Sequence, residues 1–428
     1  MKAIKPVIIL SAILFNSQVA LSTLPSADME TDFHKLAGNL RAYPYAESEP
    51  PAQTPAPAGY KPFHLEHYGR HGSRWLIGEN DYITPVRNLE KAEKAGKLTP
   101  LGQETLDVLR DIEKQSRGRL GELSDKGALQ HQAIGRRMAR NYPELFCDSS
   151  QVDAKATVVI RCILSMLNGL QGIREVAPDV SIKSDASYAD MYFMNYDDKP
   201  AWEIKDKANP TALWPYWGKH HVPDGYLTRL VSDKQFALDS VARGLMPQLY
   251  WILANTQGHT GQPWMLDKVF TVDEVREAWR GDNAGWVLHS IDTPLTERRM
   301  PYTQRKLLNN IIESTDTAMM STRPSVNLRY GHDGILINFI TLLEIDDLGK
   351  EFASIEEAEA AGVRSYDLIP MAGNIQLVFY RNDEGDVLVK CLLNEQEVRL
   401  PAKPVSGPYY RWNDLRDYYK DKISRIKD

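Results

Sequence analysis

Two short clusters hold residue types suited to handling an anionic group. The first is Arg70-His71-Gly72-Ser73-Arg74, in which two arginines flank a histidine. A phosphoryl group in transfer spreads negative charge over its oxygens, so its chemistry rests on positioning and electrostatic stabilisation. Guanidinium forks bind such oxygens bidentately and stay charged at any working pH. An imidazole held between them is placed to attack phosphorus and form a phosphohistidine. Gly72 would let a substrate approach the backbone closely, and a helix after the loop would add its positive end. Taken alone, the same run also reads as a solvated loop with salt bridges. The second cluster is His332-Asp333. A carboxyl there would protonate a leaving alkoxide and later activate water, with His332 a further donor to phosphate. The plainer reading is an aspartate that caps the helix after it.

The elements that must position these residues can be read from spacing. Residues 63–68 read as a strand running into the first cluster. Residues 325–330 alternate like a strand, and an apolar helix over 335–343 follows the second cluster. Helical spacing recurs over 101–114, 128–140, 162–170 and 305–320, and Thr157-Val158-Val159-Ile160 is a short β-branched run. Residues 375–380 and 387–392 flank 381–386 as a hairpin. Strands alternating with helices predict an α/β three-layer sandwich with a mostly parallel central sheet. Both clusters would lie beyond the carboxyl ends of strands, where open α/β sheets bind ligands. Residues 181–300 differ in character, with most of the tryptophans, scattered Pro and Gly, and a helix near 236–255. The expected organisation is an α/β core from 23–180 and 301–428, interrupted by a mainly helical insertion, or cap, domain over 181–300.

Taken in order, the motifs resemble those of the histidine acid phosphatases, the larger branch of the histidine phosphatase superfamily, which includes phytases and multiple inositol polyphosphate phosphatases. Leu123-Ser124-Asp125-Lys126-Gly127 and then Gly135-Arg136-Arg137 resemble that family's helix start. Thr157 to Arg161, with Ser165 after it, resembles the strand and helix that deliver a third phosphate-binding arginine. Phe379-Tyr380 and Leu393-Asn394 resemble its last strands. The resemblance spans about residues 60–175 and 305–400 and leaves the middle unmatched. It implies His71 as nucleophile, Asp333 as general acid, and Arg70, Arg74, Arg161 and His332 as the phosphate clamp, with no metal and no cofactor. The chain departs from the family at Trp75-Leu76, where phytases place a residue and then Pro, and at Gly334-Ile335, where Thr or Ser and then Asn is common. Multiple inositol polyphosphate phosphatases carry His-Ala-Glu where this chain has His332-Asp333-Gly334. These departures bear on the substrate.

Attack needs a neutral His71, and three nearby arginines would disfavour the imidazolium. Asp333 must be protonated to act as an acid, and a phosphate dianion beside it would raise its pKa. Both point to activity on the acidic side of neutral. Of the tryptophans at 202, 214, 217, 264, 279 and 286, a small-domain core is the expected role and a lid over an organic leaving group the alternative. His220-His221 is expected to be a loop, Arg41, Arg87 and Lys91 ordinary surface charge, and Cys162 without a role.

At the N-terminus, Lys2 and Lys5 precede an apolar run over 7–15, and Ala20-Leu21-Ser22 offers a cleavage site; 1–22 reads as a signal peptide. The run is shorter than the roughly 20 apolar residues a membrane helix needs. The expectation is a periplasmic or secreted protein with no membrane attachment once the leader is removed. Loss of two lysines takes the net charge from −6 to −8, a poor balance for nucleic acid. Three cysteines, Cys147, Cys162 and Cys391, do not make a disulfide framework. The expected partner is a small-molecule phosphate ester, hydrolysed through a phosphohistidine and carrying a sugar or inositol. A mutase or phosphotransferase using the same nucleophile, or a binding protein that captures phosphorylated ligands without turnover, are the alternatives.

Overall fold

The structure is a computed structural model that describes residues 29–426. The expected leader, with Lys2, Lys5 and its cleavage site, lies outside the described residues. Among the described residues, no helix is long and apolar enough to cross a membrane.

One mixed sheet of eight strands organises the chain. Its strands are β1 (Lys61–Arg70), β2 (Gln151–Ala156), β3 (Ser181–Asp185), β4 (Ser325–Gly331), β5 (Asn374–Arg381), β6 (Val387–Leu393), β7 (Gln396–Val398) and β8 (Tyr410–Arg411). They run in the order β3-β2-β4-β1-β5-β6-β7, with β8 paired to β6. The four strands β3, β2, β4 and β1 are parallel neighbours. The other half is antiparallel, with the expected hairpin formed by β5 and β6. Parallel strands are buried on both faces, and β1 is buried over its last seven residues.

The principal helices are α1 (Glu79–Lys94), α2 (Pro100–Ser116), α3 (Asp125–Asn141), α4 (Ile160–Val176), α5 (Lys199–Ala208), α6 (Leu245–Asn255), α7 (Val272–Ser290), α8 (Arg305–Met319), α9 (Asp333–Leu342) and α10 (Trp412–Ser424). Their starts follow from sequence. Thr99 caps α2 ahead of Pro100, Ser124 caps α3, and Thr271 with Glu274 forms a capping box on α7.

Three apolar clusters fill the molecule. α3 and α4 cover one sheet face, burying Ile134, Met166 and Ile173 against Leu65, Val152 and Leu328. α8, α9 and α10 cover the other, with Leu308, Phe339 and Trp412. The third cluster joins Leu36, Leu40, α1 and α2 to residues 226–279, including α6 and the first half of α7.

Two elements differ from the sequence reading. The helix expected near 236–255 is broken into a turn over Lys234–Phe236, a π-helical turn over Ala237–Val241, and α6. Gly244, at φ 69°, divides them in the left-handed region that glycine enters without a Cβ clash. Thr157 to Ile160 is not a strand: β2 ends at Ala156 and Ile160 opens α4. The β-branched residues lie at the turn where the chain leaves the sheet.

Candidate active site

The two clusters meet because their strands are neighbours. β1 and β4 run parallel in a register that sets Arg70 opposite Gly331, so the residues that follow each strand emerge side by side. His71 donates its backbone N–H to Gly331 O at 2.9 Å. The His71 and His332 rings sit edge to face with centroids 5.7 Å apart.

Hydrogen bonding fixes the state of His71. Its Nδ1 lies 2.9 Å from Gly72 O, and a carbonyl only accepts, so Nδ1 carries the proton and Nε2 keeps its lone pair. Burial depresses its pKa well below the usual imidazole range, and Arg70, Arg74, Arg161 and His332 add to the effect. His332 is likewise held at about 4, first by burial and then by Arg161. Both rings are neutral near pH 6.

The loop carrying His71 is held by α3 and α4. Ser165 Oγ accepts from Gly72 N at 3.1 Å. Gln130 bonds both the N–H and the hydroxyl of Ser73 at 2.9 Å, and Ser124 donates to Ser73 O at 3.0 Å while capping α3. A Cβ on Gly72 would collide with the backbone of Gly127 in the first turn of α3. Helix packing, rather than substrate approach, therefore accounts for this glycine. The helix that starts at the cluster pair is α9, with His332 as its N-cap and Asp333 as its first residue.

The three arginines come from three elements. Arg70 ends β1 fully buried, donating to Asn39 O at 2.6 Å and Ile369 O at 2.5 Å. Its Nη2 is 2.7 Å from Asp333 Oδ2, paired by charge but not aligned for a hydrogen bond. Arg74 is held through Trp75 O at 3.0 Å, and burial brings its pKa to about 10. Arg161 is the second residue of α4. All three keep a buried Nε–H without an acceptor, an arrangement that favours an anion.

The charge on Asp333 is set by its neighbours. Burial raises its pKa, but Arg70 and Arg74 outweigh burial and hold the carboxyl at about 2, so it is ionised rather than protonated in the free protein. Asn39 Nδ2 also donates to it at 3.3 Å, and Gly334 N at 3.0 Å.

The fold is shared with solved structures. The multiple inositol polyphosphate phosphatase of Bifidobacterium longum, in complex with inositol hexasulfate, is 16% identical over 91% of this chain and 98% of that one, with a TM-score of 0.73. The phytase from D. castellii is 16% identical over 95% of this chain and 90% of its own, at 0.65. The Hafnia alvei phytase in complex with myo-inositol hexakis sulphate is 14% identical over 86% and 98%, at 0.54. The chain has the fold of these phosphatases. No family model and no curated protein sequence matches it.

In this phosphatase-like fold, a cleft of about 1220 Å³ opens above His332, Asp333 and Gly334, and its walls come from residues 195–289. Several sequence expectations change here. Trp202, Trp217 and Trp286 line the cleft, whereas Trp279 is fully buried in the core, Trp264 stacks on His34, and Trp214 is exposed. His220, in the expected loop just after the helical turn that ends at Lys219, also lines the cleft, 3.0 Å from Glu277. Cys162 lies 3.3 Å from Gly331 O and 3.7 Å from His332 Nε2. The strand assumed to turn it away is the first turn of a helix. Arg41 pairs with Asp367, and Lys91 bonds Asn88 and Ser240, outside the cleft. All three cysteines are free. Among the described residues, no group of His, Cys, Asp or Glu could hold a metal ion.

Two site residues escaped the sequence reading. Asn39 sits in a short helical stretch ahead of β1 with no motif around it. Asp282 lines the cleft from α7; burial pushes its carboxyl up to about 6 against the pull of the Trp286 and Trp251 side chains and Arg70, with Asp333 pushing the same way as burial. Its signal was present, an acid among Ala278, Gly281 and Gly285, but only the tertiary fold brings it beside Asp333.

Proposed function

We propose that the chain is an exported phosphomonoesterase of the histidine acid phosphatase type. The observation that carries this reading is His71: a buried imidazole with its proton committed to Nδ1, kept neutral among three arginines that retain unfilled donors. The shared fold supports it, as do the inositol hexasulfate and hexakis sulphate complexes of two neighbours. His71 Nε2 attacks phosphorus, and the ester P–O bond breaks with its electron pair on the leaving oxygen. Arg70, Arg74, Arg161 and His332 carry the charge of the phosphoryl oxygens. As phosphate draws on Arg70, the force that keeps Asp333 ionised weakens, and the carboxyl takes up and then delivers the proton to the leaving alcohol. Water, activated by the same carboxylate, then cleaves the N–P bond.

The test is phosphate release by the purified protein with a chelator present. His71→Ala should lose at least about a thousandfold in kcat/KM, and Asp333→Asn about a hundredfold to ten-thousandfold. Labelled phosphoryl should be recovered on the wild type in an acid-labile, base-stable form. Full activity in His71→Ala would end the proposal. Phosphate transferred to an added alcohol without release would mark a phosphotransferase. Export is part of the same reading: the N-terminus of protein recovered from the periplasm or medium should begin near residue 23.

A further inference from the structure

The charge distribution along the cleft speaks to what the organic part of the substrate can be. The three guanidiniums gather around His71, next to the His332 and Asp333 that the cleft exposes. Beyond them, the walls from 195–289 contribute the carboxylates of Asp197, Asp224 and Glu277, with Asp282 held mostly protonated at pH 5.5 by its raised pKa of about 6, against a single ammonium, Lys205, among the described residues. The histidines do not redress this: burial holds His289 neutral with a pKa of about 4, and His220 is paired with Glu277. A phosphate monoester carries about −1.5 to −2 at neutral pH. A ring bearing six such groups would place one among the arginines and several others against these carboxyls, where like charges repel.

The remaining surface fits an uncharged ring. Trp202 stacks on His289 at 4.8 Å and donates Nε1 to Asp197 at 2.9 Å. Trp217, held by Gly281 O at 2.9 Å, and Trp286 complete aromatic walls around a floor where α7 exposes Gly281 and Gly285. Aromatic faces with a few convergent polar groups suit a ring that is apolar on its faces and polar at its edge. The carboxyls are also mostly engaged: Glu277 with Arg280 at 3.0 Å, Asp197 with Trp202. Their spare lone pairs can accept from ring hydroxyls, while the carboxylates without a cationic partner, Asp197 and Asp224, oppose a second phosphate.

We infer that the cleft takes phosphate esters bearing a single phosphoryl group on a neutral, hydroxyl-bearing ring, a sugar monophosphate or its cyclitol equivalent, and discriminates against polyphosphorylated rings. The inference rests on the phosphatase reading above and narrows it. It sets this chain apart from fold neighbours crystallised with hexasulfated inositol.

The test compares kcat/KM of the purified full-length protein for inositol monophosphate, a hexose phosphate, a phosphorylated amino alcohol and inositol hexakisphosphate, at pH 5.5 and low salt. The two inositol compounds share a ring and differ in phosphate number. Both ring monophosphates should exceed the hexakisphosphate by at least about tenfold, with the gap narrowing as salt screens the walls. Asp224→Lys should shift the ratio toward the hexakisphosphate by about fivefold. Equal or better use of hexakisphosphate by the wild type, or a preference for the cationic ester, would overturn the inference while leaving the hydrolase reading intact. Release from none of the compounds would remove the hydrolase reading instead. Calorimetric binding of the same four then decides: tighter hexakisphosphate binding overturns the inference, and tighter ring-monophosphate binding upholds it.

Discussion

The guanidiniums around His71 act on the imidazole and on Asp333 in the same direction. Cations disfavour the imidazolium and favour the carboxylate, so in the free protein near neutral pH His71 is neutral and Asp333 charged, the carboxyl gaining its proton once bound phosphate draws on the arginines. A pH–rate profile should therefore show no fall between pH 7 and 4.5 of the kind an ordinary histidine nucleophile would cause. Activity should decline toward alkaline pH as the proton donor empties, and a steady rise to pH 9 would contradict this assignment. Asp282 behaves in the opposite sense. Its folded-state pKa is raised from the ordinary 3.8 to about 6, so its contribution to stability is fully present below pH 4 and is lost as pH rises through 6. Two pH units of difference correspond to roughly 3 kcal/mol. Urea unfolding of Asp282→Asn should show the variant gaining up to about that much relative to the wild type between pH 4 and pH 7.5. An unchanged difference across that range would mean that Asp282 ionises freely.

Elements, more than side chains, decide how close the reacting groups come. Gly72 exists because α3 passes against it; Gly72→Ala should cost about 1–3 kcal/mol by forcing that helix away and should lower activity and melting temperature together. Gly285 is the contrasting case. It lies inside α7 with nothing within 4 Å of a Cβ, so Gly285→Leu should raise helix stability by up to about 1 kcal/mol while filling the cleft. The expected signature is an unchanged or higher melting temperature with a raised KM for ring substrates and a smaller effect on a short-chain phosphate. The sequence revealed the strands and helices that carry strong alternation or helical spacing: β1, β4, the hairpin, α2, α3 and α8 lie within a few residues of where periodicity puts them. His71, Asp333 and the arginines stood out as a set through the family resemblance of their motifs, while the spacing of either cluster alone left a solvated loop or a helix cap open. The sequence hid what depends on contacts distant in sequence: Gly244 breaking an apolar run, Cys162 turned toward His332 by a helix start, Asn39 bonded to Asp333 across 294 positions, and the division of tryptophans between cleft and core.

Across the whole molecule, buried polar bridges tie the termini to the sheet. Arg137 on α3 pairs with Glu395 at 2.5 and 2.9 Å just beyond β6, and Tyr43 donates to the same carboxylate at 2.9 Å. Asn394, beside it, accepts from Asn374 N at 2.9 Å, at the corner where Gly373 O receives the backbone N–H of Arg70. Glu395→Gln should destabilise the protein by about 3–5 kcal/mol by leaving a buried guanidinium uncompensated, seen as a fall in unfolding midpoint with kcat preserved in the molecules still folded. The third apolar cluster has a different consequence. Trp75 and Leu76, immediately after Arg74, and Tyr82 on α1 are buried with Leu230, Leu253 and Trp279, which lie in the core behind the cleft-lining residues of the same segment. The wall is thus not an interchangeable cassette: a segment imported from another chain would have to match this seam residue by residue. Specificity in this lineage would then be altered by point changes on the cleft lining, and a laboratory effort to retarget the protein would begin there.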